Sequence, residues 1–166
     1  EHLQELTSSL PFALTPSQKK SLWEIAQDIA EPHPMNRLLQ GDVGSGKTVI
    51  AALTAALTAE AGLQTAVMAP TEILARQHYS TFINIRQSDC LSICLLTASE
   101  SRLMTDSGEE KIPRKKLKTA IAQGDVAIVI GTHTLLSEKV IWNDLGLVII
   151  DEQHRFGVRQ RAALLN

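Results

Sequence analysis

The sequence predicts an α/β domain in which a parallel β-sheet carries helices on both faces. Three observations predict it. Short apolar runs alternate with helical patterns along the chain. The runs are continuously apolar, as in Val126-Ala127-Ile128-Val129-Ile130, which marks strands covered on both sides. A glycine-rich loop at 41–48 sits between one such run and a helix-forming stretch. Strand–helix alternation implies right-handed crossovers and a doubly wound sheet.

Residues 16–30 place Leu22, Ile25, Ala26 and Ile29 on one helical stripe, and Pro32 and Pro34 end it. A short strand is expected at 36–40, Asn-Arg-Leu-Leu-Gln, directly before the loop. An Ala-rich helix follows from Thr48 to Ala61, stopped by Gly62. Thr65 to Ala69 is the second strand, and Glu72 to Phe82 reads as a helix. Leu91 to Leu96 is the third strand, 125–130 the fourth and 147–150 the fifth. Residues 98–113 are polar, without an apolar period, and read as a long mobile surface loop. A basic helix start follows at Arg114, Lys115, Lys116 and Lys118, read as a solvated face or a nucleic-acid contact.

The chain has 166 residues, the length of one ordinary domain, with enough apolar content for a core. Its net charge of −2 argues against a strongly basic clamp, while leaving room for a local nucleic-acid patch. No apolar stretch is long enough to span a membrane. Glu1 in place of an initiator Met leads us to expect a piece of a longer protein. Cys90 and Cys94, four apart on a strand, would hold their Cα atoms roughly 13 Å apart, beyond disulfide reach. They read as buried thiols of a reducing cytosol. The five histidines show no zinc spacing, so no metal other than magnesium is expected.

Gly41-Asp42-Val43-Gly44-Ser45-Gly46-Lys47-Thr48 is a complete phosphate loop, G-x-x-x-x-G-K-[ST]. Gly41 and Gly46 let the backbone turn tightly and aim N–H groups at phosphates. Lys47 reaches the β- and γ-phosphates, and the Thr48 hydroxyl ligates magnesium. A helix beginning at Lys47 adds its positive end to the same anion. Asp151-Glu152-Gln153-His154 follows the fifth strand. At a strand tip beside a phosphate loop, Asp151 is expected to hold magnesium, as a Walker B aspartate does. Glu152 is placed to polarise the attacking water.

Taken with Ala69-Pro70-Thr71-Glu72-Ile73-Leu74-Ala75, Gly131-Thr132-His133 and Asp151-Glu152-Gln153-His154-Arg155-Phe156-Gly157, the loop resembles the motifs of superfamily-two DNA helicases. His33 to Gln40 and the segment beginning at Asp151 resemble the RecG type in particular. Transcription-repair coupling factors are close relatives, which usually carry a second Glu where this chain has Gln153.

The resemblance implies a RecA-like P-loop lobe with ATP and magnesium as cofactors. It implies branched DNA, forks or Holliday junctions as partner, and a bacterial cytoplasmic, nucleoid-associated location. It also implies that Gln18 reads the adenine edge. Thr15-Pro16-Ser17-Gln18 fits a helix capping box as well, and the two roles can coexist. Pro70, Thr71 and Arg76 correspond to one segment that touches the DNA backbone, and Thr132 and His133 to a second. For Thr71, N-capping of the following helix is an equal alternative. Gln153 and His154 would couple nucleotide state to a neighbouring lobe. Thr97-Ala98 departs from the family's Thr-Gly, which weakens any DNA role there. The family's next motif, its second lobe with an arginine finger and its wedge domain have no counterpart in 1–166, so the expectation is half of a motor. A nucleotide-binding adaptor or regulatory ATPase that moves no nucleic acid is the alternative, as is the motor lobe of a transcription-repair coupling factor. A small-molecule P-loop kinase ranks third, since it needs no water-activating Glu beside its magnesium ligand.

Overall fold

The computed structural model describes residues 7–8, 10–86, 91–137 and 140–152. Helix α1 is Pro16–Ala30, and its start is written in the sequence. The Thr15 side chain accepts from the Gln18 amide while the Gln18 side chain accepts from the Thr15 amide, a full capping box with Pro16 opening the helix. Helix α2 is Lys47–Glu60, strand β1 Gln64–Met68 and helix α3 Glu72–Ile85. Strands β2 (Ile93–Leu96), β3 (Ser101–Thr105) and β4 (Gly108–Lys111) follow. Helix α4 is Arg114–Gln123, strand β5 Ile128–Gly131, helix α5 Thr134–Ser137 and strand β6 Leu145–Ile150.

The described strands form one six-stranded sheet in the order β4-β3-β2-β5-β1-β6. Strands β2, β5, β1 and β6 run parallel. Their continuous apolar runs divide between two faces because successive side chains point opposite ways. Val67, Ile93, Leu95, Ile128 and Ile130 pack with Ala52 and Ala55 of α2 and with Ala75, Tyr79 and Phe82 of α3. Met68, Cys94, Leu96 and Val129 pack on the other face with Leu117 and Ile121 of α4. Truncating one of the buried Leu, Ile or Met side chains among them to Ala costs about 2–5 kcal/mol. A third cluster joins Leu22 and Ile25 of α1 to Ile50 and Leu53 of α2, which seats α1 against the loop that opens α2.

One buried polar side chain ties the sheet to its connections. Gln64 is 3% exposed. Its amide nitrogen donates to the carbonyls of Ile121 and Val126, and its oxygen accepts from the amides of Asn143 and Asp144. Every polar atom of the side chain is therefore partnered, so its burial carries no orphan penalty. Cys94 is a buried free thiol, and burial pushes its pKa well above the ordinary thiol range. Cys90 lies outside the described residues.

Two expectations need correction. Residues 36–40 form no strand. Leu39 packs onto the α1–α2 cluster, while Leu38 is 77% exposed, so only one of the two leucines finds a core. Side chains hold the segment instead: the Arg37 guanidinium bonds Asp28 at 2.7 Å and Glu24 at 2.8 Å on α1. The second correction concerns 98–113, which contains the antiparallel hairpin β3–β4 rather than a long loop. Strand β3 pairs with β2, Cys94 opposite Leu103 and Leu95 opposite Arg102. The apolar period is short because only Leu103 of β3 is buried. Backbone pairing to an already buried neighbour supplies the order that an apolar stripe would otherwise signal.

Candidate nucleotide and DNA site

The motifs at 69–75, 131–133 and 151–152 fall at the carboxyl ends of parallel strands. Strand β1 ends at Met68 before Pro70 and Thr71, β5 at Gly131 before Thr132 and His133, and β6 at Ile150 before Asp151 and Glu152. That edge is where open α/β sheets bind ligands.

The glycine-rich loop is shaped by backbone geometry. Gly44 and Gly46 have φ of 82° and 85°, in the left-handed region that side chains disfavour. The Ser45 amide donates to the Asp42 carbonyl at 3.1 Å, closing the turn. Lys47 folds back across the loop, its ammonium donating to the carbonyls of Gly41 at 2.6 Å and Asp42 at 2.8 Å. Val43 at the tip is fully exposed. Gly46 is the N-cap of α2, so no side chain caps the first helical N–H groups. Uncapped amides at a helix start, beside a lysine, suit an anion of phosphate type. Thr48, in the first turn of α2, is half-buried.

Gln18 joins α1 to this loop. Its oxygen serves the capping box, and its amide nitrogen donates to the Ser45 carbonyl at 2.8 Å. A Cβ on Gly46 would collide with that nitrogen and displace the Gln18 amide from the loop, while the φ of 85° is what requires glycine.

Asp151 sits at the tip of β6, where its amide donates to the Met68 carbonyl at 2.9 Å. Its carboxylate bonds Nε2 of His78 on α3 at 2.8 Å. That bond is the main reason its carboxyl stays below the ordinary range; burial opposes it, and the Lys47 charge adds to it. Helix α2, which Lys47 opens, packs against β6, which Asp151 follows, so elements carrying residues 104 positions apart in number lie together. Glu152 is exposed, with φ of 51°, the one non-glycine in the left-handed region among the described residues. Such backbone costs about 1–3 kcal/mol and concentrates at functional tips. Gln153 and His154 lie outside the described residues.

The remaining candidates line the same edge unequally. Thr71 is exposed and caps α3, accepting from the Leu74 amide at 3.3 Å, and Pro70 beside it is half-buried. Arg76 is already engaged: its guanidinium bonds Glu100 at 2.7 Å, Ser99 at 3.1 Å and Glu72 at 3.4 Å. Thr132 is 2% exposed and its hydroxyl pairs with Thr134 at 3.1 Å, which leaves His133 as the exposed member of that pair. The Arg114 guanidinium bonds the carbonyls of Thr97 and Ala98, so the first basic residue of α4 anchors the β2 tip. Lys115 and Lys116 are exposed.

Sequence reasoning missed His78 and the Arg76 carboxylate partners. His78 precedes the buried Tyr79 on α3 and is three positions after the buried Ala75. That spacing sets it beside the buried stripe, a signal that a search for zinc spacing passes over.

The sheet and loop together define a RecA-like P-loop lobe. The family model described as DEAD/DEAH box helicase matches residues 15–166, and the chain belongs to that family. The chain is 50% identical over 163 residues to "ATP-dependent DNA helicase RecG" of Thermotoga maritima, covering 98% of this chain and 20% of that protein. It is also 50% identical over 164 residues to the protein of the same name from Streptococcus pneumoniae, covering 99% and 23%. The structure described as RecG bound to a three-way DNA junction superposes with a TM-score of 0.80 at 46% identity, covering 93% of this chain and 20% of that one. The UvsW helicase of bacteriophage T4 superposes with a TM-score of 0.69 at 16% identity over 98% of this chain and 54% of that one, a likeness of fold. The chain thus spans about one fifth of the length of the curated relatives it matches. Among the described residues no helix is long and apolar enough to cross a membrane.

Proposed function

We propose that this chain is the first RecA-like motor lobe of a RecG-type, ATP-dependent DNA translocase. Its substrates are branched DNA, stalled forks and Holliday junctions, and it works in recombination and repair in the bacterial cytoplasm, associated with the nucleoid. The supporting observation is that α2, which the phosphate loop opens, packs against β6, at whose tip Asp151 sits, in a chain half identical to proteins named for that activity.

The residues fit a magnesium nucleotide. The loop 41–48 would cradle the phosphates with its amides and the uncapped start of α2. Lys47 would exchange its carbonyl partners for the β- and γ-phosphates. Thr48 and Asp151 would hold magnesium, which when bound neutralises charge developing on the transferred phosphoryl group. Glu152 would take the proton of the attacking water. Gln18, already bound to the loop, would present its side chain to adenine. Pro70, Thr71, Arg76, Thr132 and His133 would form one wall of a DNA track; phosphate contacts of this kind position DNA without reading sequence. For the buried Thr132, backbone contact is the reading that fits. Gln153 and His154 would report nucleotide state to the second lobe.

A second lobe and a wedge domain in the same longer chain are part of this reading. Phosphoryl transfer in P-loop motors draws about 10³–10⁵ in rate from an arginine finger, and none of 1–166 is assigned that role. A coupled ATPase and fork-unwinding assay tests the proposal. The full-length protein is expected to show DNA-stimulated turnover, and residues 1–166 alone at most trace ATPase and no unwinding. Robust unwinding by 1–166 that is lost in Lys47→Ala overturns the half-motor reading; a full-length protein whose ATPase ignores DNA points to an adaptor.

A further inference from the structure

Asp151 is tied twice to the corner between β1 and α3. Its amide donates to the carbonyl of Met68, the last residue of β1, at 2.9 Å. Its carboxylate bonds His78 Nε2 at 2.8 Å. Between Met68 and His78 lie Pro70, Thr71 and Arg76, three of the five DNA-contact candidates. The histidine side chain is 13% exposed and Asp151 31%, so the bond is partly shielded from water, which would otherwise compete for it. The carboxylate is the acceptor, so Nε2 carries the hydrogen. The ring is part of a rigid helix: Thr71 caps the start of α3, and Ala75, Tyr79 and Phe82 on either side of His78 are buried against the sheet. A carboxylate held on one oxygen by a fixed imidazole keeps one orientation and presents its remaining lone pairs to a cation. Lys47 and Glu152, which also bear on the Asp151 carboxylate through its charge and its backbone respectively, come from the phosphate loop and from the chain beyond β6; neither is carried by α3.

We propose that His78 is a positioning residue: it fixes the Asp151 carboxylate for magnesium and links that carboxylate to the α3 corner that forms the DNA wall. This rests on the nucleotide-site reading given above. The bond predicts a direct consequence. A displacement of the β1–α3 corner on DNA binding moves the Asp151 carboxylate with it, because both ties lead to that corner.

The test is magnesium-dependent ADP binding by the full-length protein, measured by calorimetry across a MgCl₂ series, with and without a three-way DNA junction. Wild type is compared with His78→Ala, with His78→Leu, which keeps bulk and lacks a donor, and with His78→Gln, whose amide nitrogen can donate from a similar reach. His78→Ala and His78→Leu are expected to need about 10-fold more magnesium for half-maximal enhancement, the lower end of the effect of removing a ligand-orienting partner. Their ADP affinity without magnesium is expected to match wild type, which also reports an intact loop. His78→Gln is expected to restore the magnesium midpoint. The junction is expected to shift the midpoint in wild type and in His78→Gln, and to shift it less in the other two, which keep only the backbone tie to Met68. Superimposable magnesium curves for all four proteins overturn the proposal, as does failure of His78→Gln to recover with its metal-free affinity intact. Absence of ADP binding by wild type overturns the nucleotide reading itself, a different and recognisable result.

Discussion

Gln18 donates to the carbonyl of Ser45 at 2.8 Å while its oxygen accepts from the Thr15 amide at 2.9 Å. One side chain thereby closes the cap of α1 and fastens the phosphate loop to it. The nucleotide loop is anchored to an element 27 residues earlier, and α1 is itself held to α2 by Leu22, Ile25 and Leu53. Cap, loop and helix packing form one unit.

Gln18→Ala therefore affects two properties. Losing half a capping box costs about 1 kcal/mol. In a chain of this size that lowers Tm by about 2–4 °C in a thermal melt. Nucleotide selectivity is the second readout. If the side chain also meets adenine, the variant loses its preference for ADP over GDP in calorimetric titrations, and an unchanged preference removes that contact.

Lys47→Ala is expected to abolish most Mg–ADP affinity while leaving Tm nearly unchanged. Among the described residues the ammonium is bonded only to the exposed loop carbonyls of Gly41 and Asp42, so its loss strands no buried group there. Equal affinities in titration calorimetry would sink the phosphate-loop assignment.

Glu152→Gln in the full-length protein is expected to remove turnover and keep ATP binding. The substitution preserves shape at a backbone position that is already left-handed, so it isolates the proton-accepting role. Steady-state ATPase at the wild-type rate would end the general-base assignment.

Arg76 is held by Glu100 and Glu72. Releasing it is expected to strengthen backbone contact with DNA. Glu100→Gln should tighten binding and steepen the dependence of log affinity on log salt by about one unit, while Arg76→Ala should do the opposite. Fluorescence anisotropy with a junction across a salt series checks both. Parallel, unshifted lines for the two variants would take Arg76 off the DNA track.

Amide hydrogen exchange checks the β3–β4 hairpin, which reverses the sequence expectation of a mobile loop. Strand β3 is paired on both sides, by β2 and by β4, and β4 is the sheet edge. Protection is expected through Ser101–Thr105 and less of it along Gly108–Lys111. Fast exchange across the whole of 98–113 would favour the loop.

Much of the molecule is legible in the residues alone, because the signals are local. The cap of α1 lies within Thr15 to Gln18, and the phosphate loop is eight consecutive residues whose glycines set the backbone. Strands β1, β2 and β5 declare themselves by unbroken apolar runs, since both sheet faces need filling. Tertiary structure decided the rest. Residues 36–40 carry strand-like residues and form no strand: Leu38 finds no core and Arg37 binds α1 instead. Residues 101–111 carry few apolar residues, yet pair into a hairpin, because the exposed edge of β2 offered hydrogen bonds that no local pattern announces. The engagement of Arg76 by Glu100, 24 residues away, and of Asp151 by His78, 73 residues away, follows the same rule. Such pairs depend on where the sheet brings distant elements together, and that is set by strand order rather than by anything written near either residue.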